Sequence, residues 1–273
     1  MSIMIEALLK YTFLQHAFIT AILASVVCGI IGTIVVEKKL VMMSGGIAHT
    51  AFGGIGLGYC IGIEPIVGAL FFAGGSSFAV AAIKRNTNTN PDTLIGILWS
   101  MGMAAGILFI SLTPGYPPDM SSYLFGDILT VSVFDIYTIT VLVSFIVFIM
   151  IAFYNYWKSF LFDEEFSFVI GLKTAFMEYF MFLLIALTVV VLIRVVGIIL
   201  VISLLTAPPA IAKFFTYDLK KMMALSILIG MIFSISGLWL SYYFNIPSGA
   251  MIILLIGSVF FLTAFLKRRQ SRK

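Results

Sequence analysis

The stretch Leu40-Val-Met-Met-Ser-Gly-Gly-Ile-Ala-His49-Thr-Ala-Phe-Gly-Gly-Ile-Gly-Leu-Gly-Tyr-Cys60-Ile-Gly-Ile63 contains no Asp, Glu, Lys or Arg. An α-helix crosses the hydrocarbon core of a bilayer with roughly 20 such residues. The same reading applies along the chain, at 13–36, 41–62, 65–83, 93–113, 131–153, 174–193, 197–212, 221–243 and 247–266. Composition agrees: 62% of residues are hydrophobic and 10% charged, with a mean hydropathy of +1.15, against about 45–50% and about 25% in a soluble domain. These features predict an all-α polytopic membrane protein, a single domain over 1–273, with eight to nine transmembrane helices. The lower count applies if 197–212, which is short and reaches Ala207-Pro208-Pro209, is a broken or re-entrant helix.

The N-terminus lacks the basic, apolar and small-residue succession of a removable signal peptide, so the first span is expected to stay. Cys28 and Cys60 sit in apolar runs with no partner spacing and read as buried thiols. Basic residues sort by side. Lys38, Lys39, Lys84, Arg85, Lys158, Lys173, Lys213, Lys220, Lys221 and the tail Lys267, Arg268, Arg269, Arg272 and Lys273 fall on one side, and only Lys10 and Arg194 on the other. Basic residues are retained in short cytoplasmic loops. The C-terminus and its basic tail, 267–273, are therefore expected in the cytoplasm, and nine crossings would leave the N-terminus outside with 1–12 as an interfacial helix. The net charge of +4 is a topology signal, so no nucleic-acid partner is expected. Glu64, Asp119 and Asp127 give the outer loops an acidic face, and Arg194 at the outer end of its span is expected to snorkel to lipid headgroups, with pairing to an outer-loop carboxylate as the alternative.

Two places carry candidate function. In the cytoplasmic stretch 158–173, Asp163 is suited to cap a short helix, Glu164 and Glu165 to favour its positive end, and Gly171 to terminate it. Phe166, Phe168, Val169 and Ile170 would then fill a groove on a soluble motor, or else rest on lipid headgroups. The other place is His49, well inside the second span. Ionisable groups at that depth face a bundle interior or an aqueous path, and imidazole ligates zinc, manganese and iron; a neutral imidazole bonded to a neighbouring helix is the competing reading. His16 lies near the outer end of the first span. Gly54, Gly58 and Gly62, four residues apart, suit close helix packing. No phosphate-binding loop occurs, so the chain is not expected to be an enzyme, and any ATP would be hydrolysed by a partner.

Six segments in order, Met43 to Gly54, Asp92 to Ile97, Leu124 to Leu129, Asp163 to Gly171, Val196 to Ala210 and Gly237 to Gly249, resemble the membrane permease subunits of the zinc, manganese and iron ABC importers, the ABC-3 family. The resemblance covers nearly the whole chain. It implies a homodimer, cytoplasmic ATP-binding subunits, an extracytoplasmic metal-binding protein and a divalent metal ion as cargo, with no permanently bound cofactor. It also implies location in the plasma or inner membrane of a bacterium or archaeon. The family's membrane site resembles an Asp-x-x-x-His pair on one helix face. Here His49 matches the histidine, while Gly45 stands at the carboxylate position, which leaves the identity of the ion open. The alternative class, a secondary transporter of a small cation, would carry coupling carboxylates inside the membrane and an internal repeat; only Asp92, Asp135 and Glu178 lie near span ends.

Overall fold

A computed structural model of the chain describes residues 8, 10–86, 91–115, 121–126 and 128–270. The described residues are helical and linked by short turns: α1 (Thr12–Glu37), α2 (Val41–Ile61), α3 (Pro65–Asn86), α4 (Pro91–Ser111), α5 (Ser121–Phe125), a 3-10 turn (Ile128–Thr130), α6 (Val133–Ala152), α7 (Tyr154–Phe162), α8 (Glu164–Val169), α9 (Thr174–Val196), α10 (Ile198–Lys213), α11 (Leu219–Phe244) and α12 (Ser248–Gln270). Most of the expected N-terminal interfacial segment, Asp119, Asp127, the Asp92 side chain and the last tail residues lie outside the described residues.

Among the described residues, seven helices are long and apolar enough to cross a membrane: α1, α3, α4, α6, α9, α11 and α12. The expected eight to nine is thus too high by this measure, for two physical reasons. Helix α2 is 21 residues long, but glycine, serine, threonine and histidine dilute its hydropathy, which a helix walled in by its neighbours tolerates. Helix α10 has 16 residues, about 24 Å at 1.5 Å per residue, against a core of about 30 Å. It is not broken at Pro208 and Pro209, which lie inside one continuous helix. The interruption falls at Gly197 (φ 77°, ψ 160°), between α9 and α10, where the chain bends against Gly126 (φ 69°) so closely that neither position has room for a Cβ.

Burial sorts the helices into a core and a periphery. The most apolar window of α1 is 72% buried and that of α9 67%, against 17% in both α4 and α12. Around this core, α2 packs between α3 and α4, α6 packs on α1 and α9, and α10, α11 and α12 pack on one another, with α10 and α11 also against α1. Lipid supplies little hydrophobic drive between helices, so small residues govern how closely they approach. Gly54 faces Gly68 on α3 with no space for a Cβ on either, and Gly58 meets Pro65 at 2.7 Å from a notional Cβ. Gly53 and Gly56 present the adjacent face to Gly102 and Gly106 on α4. Gly62 plays a different part from the packing role expected of it. It is the left-handed C-cap of α2 (φ 74°), with open space around it.

Charged side chains collect at two opposite ends of the bundle. At one, Lys38 pairs with Glu164 (3.1 Å), Lys213 with Glu37 (3.2 Å), and Lys84 and Arg85 with Glu178 (2.6 and 3.0 Å). At the other, Arg194 pairs with Glu64 (3.2 Å) and Asp135 (3.1 Å). Arg194 therefore does not rely on snorkelling; the turn after α2 and the first turn of α6 bring carboxylates within reach.

Candidate functional site

His49 lies eight residues into α2, about 12 Å along the helix, and is 8% exposed. Its imidazole stacks on the Trp99 indole of α4, with ring centroids 3.9 Å apart and planes 15° apart. Nδ1 lies 3.3 Å from Sδ of Met103, one turn further along α4. Thr50 is occupied otherwise, donating to the Gly46 carbonyl at 2.7 Å. The two helices meet closely because Gly46 faces Ile95 and Gly53 faces Gly102. At Gly45, one turn before His49, a Cβ would meet only Trp99 at 3.6 Å and Ile202 at 3.9 Å, both ordinary contacts. Among the described residues, no three His, Cys, Asp or Glu side chains converge as a metal cluster would require.

Trp99 and Met103 were missed by the sequence reading. A signal was available: Ile95, Trp99, Gly102 and Gly106 form one stripe along α4, and its glycines mark the face that another helix approaches. His16 lies apart from this site, its Nδ1 3.1 Å from the Val131 carbonyl. Cys28 and Cys60 are free thiols, Cys28 buried and Cys60 half-buried. The carboxylates a secondary transporter would need in the membrane are engaged at helix ends: Asp135 caps α6 through Ser132 and binds Arg194, and Glu178 binds two cations.

The stretch 158–173 folds as two helices where one was expected. Helix α7 begins after a break at Phe153 and is fixed to the body by fully buried Trp157 and Phe160, with Trp157 stacked on Phe180 of α9. The extended residue Asp163 separates α7 from α8, and its Oδ1 accepts from the Phe166 amide at 2.8 Å. Gly171 (φ 86°) closes α8: its amide donates to the Phe168 carbonyl and the Leu172 amide to the Ser167 carbonyl, both at 3.0 Å. That reciprocal pair is a Schellman motif, which requires the left-handed residue glycine provides. Glu164 is held by Lys38, whose ammonium also lies 4.0 Å from the Phe160 ring centroid; Glu165 is exposed. Phe166, Phe168, Val169 and Ile170 are exposed, Val169 by 81%. The element is rigidly mounted and turns its apolar side chains outward.

At the opposite end, Tyr59 and Tyr123 share a hydrogen bond of 2.8 Å, joining α2 to α5 beside the Arg194 cluster. Burial, and then the bond to Tyr59, push the Tyr123 phenol above its ordinary pKa, so it stays a neutral hydrogen-bonding group.

The model of the ABC 3 transport family matches residues 10–267. The chain belongs to the ABC 3 transport family. An uncharacterised membrane protein of Synechocystis is 40% identical over 269 residues, covering 97% of this chain and 95% of that protein. The manganese transport system membrane protein MntC of Listeria monocytogenes is 34% identical over 265 residues, 96% of this chain and 93% of its own. Among solved structures, PsaBC from Streptococcus pneumoniae in complex with Fab superposes with a TM-score of 0.85 at 31% identity, covering 95% of this chain and 93% of that one. A metal-chelate type ABC transporter in an inward-facing conformation has a TM-score of 0.73 at 14% identity over 95% of this chain and 88% of that one, a likeness of fold. Within this ABC 3 frame the chain is a membrane permease subunit, and ATP hydrolysis resides in a separate subunit.

Proposed function

We propose that this chain is the permease of an ATP-driven importer for a divalent transition-metal ion, zinc, manganese or iron. It acts in the plasma membrane as one of two copies, with the ion passing along their interface. His49 lines the pathway, a cytoplasmic ATP-binding subunit docks on α8, and an extracytoplasmic metal-binding protein delivers the ion to the end marked by Glu64, Asp135 and Arg194. Support for the cargo comes from the family and from relatives whose names specify manganese transport. The observation that carries the mechanism is α8, capped at both ends, tethered through Glu164 to Lys38, and holding apolar side chains outward with nothing among the described residues to cover them. A groove beside it, lined by Arg85, Glu164, Glu165, Phe168, Val169 and Thr174, is where a helix or loop of the motor would seat.

The test is the ATPase rate of the reconstituted complex with and without loaded binding protein. Stimulation in the wild type, and its loss in Glu165→Lys and Gly171→Val with the complex still assembled, is expected. Full stimulation in both variants would remove α8 from the mechanism.

A further inference from the structure

The groups gathered around His49 say more about the ion than the histidine does. The ring partners described for His49 are a thioether, Met103 Sδ at 3.3 Å from Nδ1, and the indole face of Trp99. Stacking covers a face of the imidazole, whereas the lone pair of its unprotonated nitrogen lies in the ring plane, so the ring keeps its capacity to ligate. A thioether is a weak hydrogen-bond acceptor but a good ligand for soft ions. The 3.3 Å between Nδ1 and Sδ places the imidazole edge and the thioether side by side, close enough to face one ion together.

No oxygen completes this set from its own helix face. Gly45, one turn before His49, offers no side chain, although ordinary contacts are all that a Cβ would meet there. A Cβ is accommodated there, and the missing oxygen is a property of the residue chosen. Manganese sits at the weak end of the divalent affinity order and favours carboxylate and carbonyl oxygen, while sulfur ligands favour zinc and softer ions.

We infer that His49 and Met103 together are the ion-selecting element of this chain, and that they favour a borderline divalent ion, zinc, over manganese. This rests on the reading of His49 as a pathway residue, and the experiment separates the two. The complete transporter, with its ATPase and binding protein unchanged in every arm, is reconstituted in proteoliposomes, and ATP-dependent uptake of labelled zinc and labelled manganese is measured in direct competition. Because the binding protein is constant, changes in the zinc-to-manganese ratio report the permease.

Met103→Leu, which conserves volume, is expected to lower that ratio at least about tenfold, the scale on which loss of a metal-supporting residue acts. Gly45→Asp is expected to lower it by raising manganese uptake, and it serves as the second variant should Met103→Leu fail to assemble. An unchanged ratio in both, with uptake abolished by His49→Ala, overturns the selectivity claim and leaves the pathway reading standing. Uptake unchanged in His49→Ala overturns both.

Discussion

Glu178 is 3% exposed and is held by Lys84 and Arg85, each about one third exposed. Such a carboxylate is tolerable only while its partners remain, since a buried charge left unpaired costs about 3–5 kcal/mol. Replacing both cations, Lys84→Met with Arg85→Met, should therefore lower the melting temperature of the detergent-purified protein well below that of Glu178→Gln, which removes the buried charge itself. Equal melting temperatures would show that water reaches Glu178. This pairing was not legible in the sequence, because the partners lie far apart along the chain and only the bundle sets them side by side; for Arg194 a pairing with an outer-loop carboxylate was legible only as the alternative to snorkelling. His49 was legible as an ionisable residue deep in a span. Its neighbours were not, since Trp99 and Met103 look like ordinary span residues until α4 is docked on α2.

The spans were read to within a few residues because charge and turn chemistry mark their ends. Asp163 and Gly171 are such marks, and both serve as caps. The break at Phe153, which sets α7 apart from α6, carries no compositional signal, and buried Trp157 and Phe160 hold α7 in place through packing. Two outcomes follow for these elements. Asp163→Ala should cost about 1 kcal/mol, the usual worth of an N-cap, and should raise proteolytic nicking between α7 and α8; an unchanged cleavage pattern would mean that α8 is held by its tether to Lys38 instead. In the α2 and α3 pair, Gly54→Ala must push apart backbones that have no space for a Cβ. Gly74→Ala, in open space on α3, should be neutral or stabilising by up to about 1 kcal/mol through helix propensity. Equal unfolding temperatures for the two would contradict the close approach.

Across the whole molecule, one end is rich in Lys and Arg and the other is tied by Arg194, Glu64 and Asp135, which fits the bias of basic residues toward the cytoplasm. A cysteine at Tyr217, exposed between α10 and α11, should react with an impermeant maleimide only after the cells are opened. One at Leu112, exposed after α4, should react in intact cells; the reverse pattern would invert the orientation. The peripheral helices α4 and α12 leave wide apolar faces for lipid or a second copy, and α4 also carries Trp99 and Met103, so the His49 site lies toward a side of the protomer that the other described residues leave open. Import by this permease turns on that site being the route of the ion. ATP-driven uptake of zinc, manganese and iron by the complete reconstituted transporter, wild type against His49→Ala, tests this most directly. The prediction is that uptake of the transported ion falls at least about tenfold while the complex assembles normally. Unchanged uptake of every ion by His49→Ala would contradict it.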